Sequence, residues 1–212
     1  KNKTVAEVRQ IGWDYFYNNS YKYIVCSDAD DFFSKNRIEY SFKKLQRNSF
    51  VYNKLIDVDK YGKKINNKKV ELPNRTNNIY DLFEYNYIGG SSCAYKKTNT
   101  KLIKIPKTIV ATDWWIASVY LLNGLTGSLI EKSYTFYRQH GKNIVGTKSK
   151  INNKSVDKTL KVKLTHYKEI IKYCKGIKKK VCEAKFDKKY KEYKKLSILL
   201  KSNKFKKEYI KV

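Results

Sequence analysis

Acidic residues are scarce in this sequence, and several common signatures are missing from it. Only 19 of the 212 residues are Asp or Glu, against 47 Lys or Arg, so the formal net charge is +28. There is no run of 18 apolar residues and no recognisable signal peptide. We therefore expect a protein that neither spans a membrane nor is exported.

The four cysteines lack the spacing of a structural zinc site. No two of them form a Cys-x-x-Cys pair, and there is no histidine cluster. Cys26 and Cys93 lie in apolar runs that are typical of strands, where a thiol behaves as a small buried hydrophobe. We expect reduced thiols and a cytoplasmic location.

The excess of basic residues narrows the class of partner. Nucleic acid is the first candidate, and an anionic membrane surface is the second. With 41% hydrophobic and 15% aromatic residues the chain can build a core, which excludes wholesale disorder. Its length allows one large domain or two small ones.

An apolar strand that runs into an acidic cluster is the most informative stretch. Residues 21–31 read Tyr-Lys-Tyr-Ile-Val-Cys-Ser-Asp-Ala-Asp-Asp. The first half predicts a buried strand, which puts the carboxylates at the carboxyl edge of a sheet, where open α/β folds bind ligands. Alternation along an extended chain directs Asp28 and Asp30 to one face and Asp31 to the other. Paired carboxylates suit Mg²⁺ or Mn²⁺ carrying phosphates, and the alternative is an acidic turn that caps the next helix.

Helical signals recur through the first 150 residues. Helices are predicted from a Thr4–Glu7 capping box, after Ser34, over Ile79–Tyr87, and from Asp113 to Asn123 behind an N-cap at Thr112 and ahead of Gly124. The first two are expected to turn two apolar sets toward the core. These sets are Val5, Val8 and Phe16 in the first helix, and Ile38, Phe42 and Leu45 in the second.

Strands and a glycine pair lie between these helices. Further strands are predicted at Phe50–Ile56, Gly127–Ile130 and Ser133–Tyr137. The adjacent glycines Gly89 and Gly90 permit either a positive φ or a close approach of the backbone to a ligand.

Beyond Ser155 the sequence becomes lysine-rich and helical in pattern. Its 58 residues hold 20 lysines and 6 acidic residues, half of the net charge of the chain. Apolar residues recur there at three- and four-residue steps, as an amphipathic helix requires. The stripe consists of Leu160, Leu164, Tyr167, Ile171 and Cys174.

Three separated motifs, taken in order, resemble the family 2 glycosyltransferases of the GT-A fold, and most closely their rhamnosyltransferase-like branch. Ser-Asp-Ala-Asp-Asp, ending at Asp31, is similar to the Asp-x-Asp motif of that family. Ala-Thr-Asp-Trp-Trp, ending at Trp115, is similar to its acceptor-side Asp-Trp-Trp. Tyr-Arg-Gln-His-Gly-Lys-Asn-Ile-Val-Gly, ending at Gly146, is similar to its Arg-Gln-His-Gly-x-Asn-x-x-Gly segment.

The resemblance implies the fold class and the domains. It covers Lys1 to about Gly146 and implies an α/β, Rossmann-like mixed sheet flanked by helices over residues 1–150. Residues 151–212 would form a basic helical extension. Members of the family begin with a strand ending in a Pro-x-Tyr-Asn-like stretch, whereas this chain starts at the helix before the Asp-x-Asp strand. We therefore expect an N-terminally incomplete catalytic domain.

On the donor side, the resemblance implies a nucleotide-sugar site with a divalent metal. Asp30 would bind the Mn²⁺ or Mg²⁺ that bridges the donor diphosphate, with Asp28 on the metal or the ribose and Asp31 beside them. Arg138 would contact the diphosphate, and His140 would complete the metal shell. The alternative for His140 is a structural hydrogen bond.

On the acceptor side, the resemblance implies that Asp113 is the general base. Its place in the first turn of a helix favours the anion, and it also makes ordinary capping the alternative. Gly89 and Gly90 would approach the acceptor. Of Trp114 and Trp115, one is expected in the core and the other as a sugar platform.

The implied function is inverting transfer of a sugar from a nucleotide-diphosphate donor to a glycan or lipid-linked saccharide, in bacterial capsule or lipopolysaccharide synthesis. Residues 155–212 would then dock on the anionic inner face of the membrane. The alternative is that their apolar face packs on the catalytic domain and the lysines are solvated. One rival is a nucleic-acid-binding protein, although no RNP, KH or zinc-finger pattern occurs and nucleic acid is not the expected partner. The other is a non-catalytic relative that binds glycan without turnover.

Overall fold

The chain divides into two compact units. A computed structural model describes residues 3–65, 71–99, 103–139 and 153–201. The first unit comprises Lys1–Ile105 and Thr112–Thr147, and the second comprises Pro106–Ala111 and Lys148–Val212.

The first unit is an α/β structure with a mixed sheet, as predicted. Its described strands are β1 (Tyr23–Val25), β2 (Phe32–Phe33), β3 (Phe50–Val58), β4 (Arg75–Thr76), β5 (Cys93–Lys96) and β6 (Gly127–Arg138). The order across the sheet is β1-β5-β3-β6-β2, and β4 pairs with β6. Strands β3 and β6 run parallel, whereas the other described pairs are antiparallel.

Helices cover both faces of this sheet. The helices of the first unit are α1 (Val5–Asn18), α2 (Arg37–Leu45) and α3 (Thr112–Leu122). Trp13 of α1 packs on Tyr95 of β5 and on Tyr120 of α3, with ring centroids 5.3 and 6.3 Å apart. On the other face, Leu45 of α2 packs with Val51 of β3. Helices α1 and α3 therefore share one face, and α2 lies on the opposite one.

Both surface helices are rotated from the predicted orientation. The capping box of α1 is present at Thr4, but Val5 and Val8 are 41% and 54% exposed. Phe16 is buried as predicted, and the other buried residues of α1 are Ala6 and Trp13. The indole sets this rotation because it is the largest apolar group on the helix.

Helix α2 begins at Arg37 behind an Asn36 N-cap, not behind Ser34 as predicted. Its buried residues are Arg37, Ser41 and Leu45, whereas Ile38 and Phe42 are more than half exposed. Arg37 is turned inward because its guanidinium donates to the backbone carbonyl oxygen of Cys26.

The two strands predicted over residues 127–137 are one continuous strand. The register of β3 with β6 shifts between Asn53 and Lys54, where Ile130 pairs with the first and Tyr134 with the second. The extra residues form a bulge, which explains why the alternating pattern breaks there. The helix predicted over Ile79–Tyr87 is shorter, a single 3-10 turn at Ile79–Leu82.

The second unit contains the predicted helical region. Its helices are α4 (Asn153–Gly176) and α5 (Lys180–Lys201). Tyr167 of α4 lies 5.6 Å from the Phe186 ring and 5.7 Å from the Tyr193 ring, both on α5. The apolar stripe of α4 therefore packs on α5. His166 is 1% exposed, and burial lowers its pKa to about 3.

Candidate functional site

The acidic cluster forms a turn. The backbone N–H of Asp31 donates to the carbonyl oxygen of Asp28 at 3.2 Å, so residues 28–31 are not extended as predicted. The alternation expected for Asp28 and Asp30 therefore does not apply. Asp30 is exposed at the tip of the turn, whereas Asp31 is 8% exposed.

Asp28 is held by two other segments of the first unit. Its backbone N–H donates to the hydroxyl of Ser91 at 2.8 Å, which links the turn to the segment before β5. Its carboxylate forms an ion pair with the guanidinium of Arg9 on α1. Side-chain exposures of 32% and 37% leave both groups accessible to a ligand.

Gly90 marks the point where three distant segments meet. A Cβ built on Gly90 would lie 3.7 Å from Nη2 of Arg9, 3.8 Å from Oδ2 of Asp28 and 3.9 Å from Cβ of Asp113. The backbone of Gly90 therefore lies against all three side chains. A side chain at this position would be in van der Waals contact with all three.

Asp113 lies in the first turn of α3, as predicted. Its Oδ2 accepts a hydrogen bond of 3.1 Å from the carboxamide of Asn86. Burial raises the pKa of Asp113, while hydrogen bonds from the backbone N–H groups of Trp114 and of Asp113 itself oppose that rise. Burial outweighs the helix terminus, so the carboxyl is a stronger base than a simple cap would be.

Asp31 and Arg138 are joined through the backbone. The N–H of Arg138 donates to Oδ1 of Asp31 at 3.0 Å. This bond fastens the end of β6 to the acidic turn, and burial raises the pKa of Asp31. The guanidinium of Arg138 lies 4.2 Å from the centroid of the Phe32 ring. Asp31 therefore anchors the acidic turn to the end of β6, where Arg138 lies.

A positive φ is not the reason for the glycine pair. Neither glycine has a positive φ; within the described ranges, Gly62 and Gly124 are the glycines that do. A Cβ on Gly89 would lie 3.1 Å from Cδ1 of Leu55, so packing on β3 restricts that position.

Both tryptophans belong to the core, which corrects the expectation of a sugar platform. Trp114 and Trp115 are 4% and 2% exposed. Their indole N–H groups donate at 3.0 Å to the carbonyl oxygens of Leu82 and Lys104, respectively. Since α3 is buried nearly all round, neither ring is available to an acceptor.

Four functional candidates were missed at the level of sequence. Arg9 and Asn86 contact the carboxylates of Asp28 and Asp113, and the Ser91 hydroxyl accepts from the backbone N–H of Asp28. Arg37 donates to the backbone carbonyl oxygens of Cys26 and Cys93. Arg9 and Arg37 lie on helices, where a basic side chain is normally solvated. Asn86 lies in a loop between two tyrosines, and nothing in this context marks it as a functional residue.

The donor set fits a hard divalent cation that shares its coordination with phosphates. Asp28 and Asp30 are carboxylates of one turn, and Mg²⁺ is commonly held by one or two carboxylates plus substrate oxygens. Among the described residues, no group of three or more His, Cys, Asp or Glu side chains forms a complete metal site. The predicted ligand His140 lies outside the described residues.

Comparison with models of protein families and with curated protein sequences finds no match to this chain. What the site can do is therefore argued from its own groups. An accessible arginine beside two carboxylates can bind a phosphate-bearing ligand. A half-buried carboxyl with a raised pKa, close to the same point, can accept a proton.

Proposed function

We propose that the chain belongs to a sugar transferase of the GT-A type, which moves a sugar from a nucleotide-diphosphate donor to a glycan hydroxyl. The observation that carries this proposal is the convergence at Gly90. Residues 9, 28 and 113 lie far apart in the sequence, yet all three side chains lie within 4 Å of one point. Sugar transfer needs a diphosphate contact and a base at the same place.

Each residue of this cluster has a role in the proposed reaction. The guanidinium of Arg9 contacts the donor diphosphate and neutralises charge on it. Asp28 and Asp30 would hold Mn²⁺ or Mg²⁺, which would stabilise the departing nucleoside diphosphate as a Lewis acid. The carboxylate of Asp113 takes the proton of the acceptor hydroxyl, and Asn86 orients that carboxylate through its carboxamide.

Calorimetric titration tests the donor half of this proposal. UDP, GDP, dTDP and inorganic pyrophosphate are titrated into the 212-residue chain with and without Mn²⁺. We expect Mn²⁺-dependent binding that Asp30→Asn weakens by about tenfold or more, because the change removes an anionic ligand and little volume.

Glu71→Gln is the matched control, since it removes one exposed carboxylate elsewhere in the first unit. It should bind like the parent chain. Binding that is equally strong without Mn²⁺, or equally strong in Asp30→Asn, would mean that Asp30 is not a metal ligand and is only part of an acidic turn. Binding without any transfer to a glycan would favour the non-catalytic alternative.

A further inference from the structure

A basic groove lies on the α2 face of the first unit. It is bounded by α2 and the residues that follow it, by Asn74 and Arg75, and by residues 128–132 of β6. Its volume is about 880 Å³. Clefts of this size hold a discrete ligand, whereas a membrane surface needs a flat or convex basic face.

The groove is strongly cationic. Five basic residues line it, and the one acidic residue on its wall is Glu131. The basic residues are Lys43, Lys44, Arg47, Arg75 and Lys132. Lys43 pairs with Glu39 and Lys44 donates to the carbonyl oxygen of Leu129. Within the described residues, the guanidinium groups of Arg47 and Arg75 have no such partner, so their charge is available to an anion.

Neutral polar groups and two aromatic rings share the wall with these cations. The carboxamide of Asn74 can both donate to and accept from hydroxyl groups. The carboxamides of Gln46 and Asn48 already donate to the carbonyl oxygens of Phe42 and Lys44, and their oxygen atoms can accept from hydroxyl groups. Ser128 is 4% exposed, and its hydroxyl has no hydrogen-bond partner within the described part of the chain. Tyr40 and Phe42 supply two ring faces, fewer than the series of rings along which single-stranded nucleic acid stacks. Hydroxyl partners beside cations are the chemistry of a charged sugar.

The groove is separate from the candidate catalytic site. Ile130 belongs to the core cluster that packs beneath α2, with Leu45 and Val51. Ser128 pairs with Val51 in the register of β3 and β6. Arg9 and Asp113, by contrast, lie on α1 and α3, which cover the other face of the sheet.

We propose that this groove binds an anionic oligosaccharide, with Arg47, Arg75 and Lys132 contacting its carboxylate or phosphate groups and the carboxamides contacting its hydroxyls. Single-stranded nucleic acid is less well matched, because it binds along grooves that offer a series of stacking rings. Binding here does not depend on the proposed sugar transfer. A role in holding the growing glycan does rest on that proposal.

Fluorescence anisotropy with labelled oligosaccharides tests the groove. The probes are a heparin hexasaccharide, a galacturonic acid hexasaccharide and a neutral maltohexaose, with oligothymidylate and anionic vesicles as competitors. We expect both acidic sugars to bind the full chain and the neutral sugar not to bind. Arg47→Gln combined with Arg75→Gln should lower the affinity for the acidic sugars by about 10- to 100-fold.

The control is Lys60→Gln combined with Lys104→Gln, which removes the same charge at exposed positions outside the groove. It should change affinity by no more than about twofold. Equal losses in the two variants would overturn the proposal, as would tighter binding of oligothymidylate or vesicles. If the double variant does not fold, as judged by circular dichroism, Lys132→Gln is measured in its place and should lower the affinity for the acidic sugars. Loss of sugar transfer with oligosaccharide binding intact would count against the proposed function and not against the groove.

Discussion

Two opposing effects act on the pKa of Asp113. Its place at the start of α3 supplies backbone N–H groups that favour the anion, and burial in the first unit disfavours it. Burial is the larger influence, so the pKa of this carboxyl is raised. A base with a raised pKa accepts a proton more readily in the transition state than an exposed carboxylate does.

We expect Asp113→Asn to lower the rate of sugar transfer by about 10²–10⁴-fold, because an amide cannot accept the acceptor proton. Donor binding should stay close to that of the parent chain. The rate is measured at saturating concentrations of the donor that calorimetry identifies. In the parent, the rate should fall as the pH falls through the raised pKa of Asp113, above the ordinary value of 3.8.

Asp81→Asn is the control for this change, because Asp81 also accepts backbone N–H groups at the start of a helical turn. The rate of sugar transfer by the Asp81→Asn variant should equal that of the parent chain. If Asp113→Asn keeps most of its activity, or keeps the acidic limb of the pH profile, Asp113 is a helix cap only.

At the scale of elements, the parallel pairing of β3 and β6 brings the end of β6 to the acidic turn. The first residues of β6 pass closely over Phe50 of β3. Phe50 is fully buried and stacks on Tyr95, with ring centroids 5.8 Å apart. A Cβ on Gly127 would lie 2.1 Å from Cε2 of Phe50. The glycine therefore lets the two strands pair at this register.

We expect Gly127→Ala to lower the free energy of unfolding by about 1–3 kcal/mol, the usual cost of overpacking a core. The cost arises because Phe50 is enclosed by other rings and cannot move aside. Urea denaturation followed by circular dichroism measures it.

Gly12→Ala is the matched control, since a Cβ there meets nothing within 4 Å. Gly12 lies inside α1, so alanine should raise the free energy of unfolding by about 0.5–1 kcal/mol through helix propensity. A neutral Gly127→Ala would show that β3 and β6 tolerate a different separation.

At the scale of the whole molecule, charge is unevenly distributed along the chain. The last 58 residues supply half of the net charge of +28. In the second unit, the apolar stripe of α4 is occupied by α5, so that stripe is not what would enter a bilayer. Within the ranges that the structure describes, no helix is long and apolar enough to cross a membrane. The lysines of this unit are the feature that would attract it to an anionic surface.

Four exposed lysines of the second unit test this contact: Lys168, Lys188, Lys194 and Lys195. Changing all four to Gln should lower binding to anionic vesicles by about 10²–10³-fold at low salt, since each lysine near the surface contributes about 1 kcal/mol. Vesicle sedimentation at low and high salt measures the effect.

The control changes four exposed lysines of the first unit to Gln: Lys35, Lys60, Lys63 and Lys104. Its binding should fall much less. Equal losses in the two variants would mean that net charge alone, and not the second unit, attracts the chain to the membrane.

Features that depend on a few neighbouring residues could be read from the sequence. The capping box at Thr4 is present, and α3 runs from Thr112 to Leu122, within one residue at each end of the predicted Asp113–Asn123. Gly124 follows it with a φ of +75°. The α/β class implied by the motif resemblance is likewise present as a mixed sheet flanked by helices. Each is decided by side chains within one turn of the backbone groups that they satisfy.

Tertiary structure alone decided which groups face one another. The orientation of α1 depends on where Trp13 finds Tyr95, and no spacing within the helix contains that contact. The meeting of Arg9, Asp28 and Asp113 at Gly90 depends on the packing of α1 and α3 over one face of the sheet. The sequence determined the chemical groups and the local structure, whereas the site exists because burial of aromatic surface holds segments as distant as residues 9 and 113 in contact.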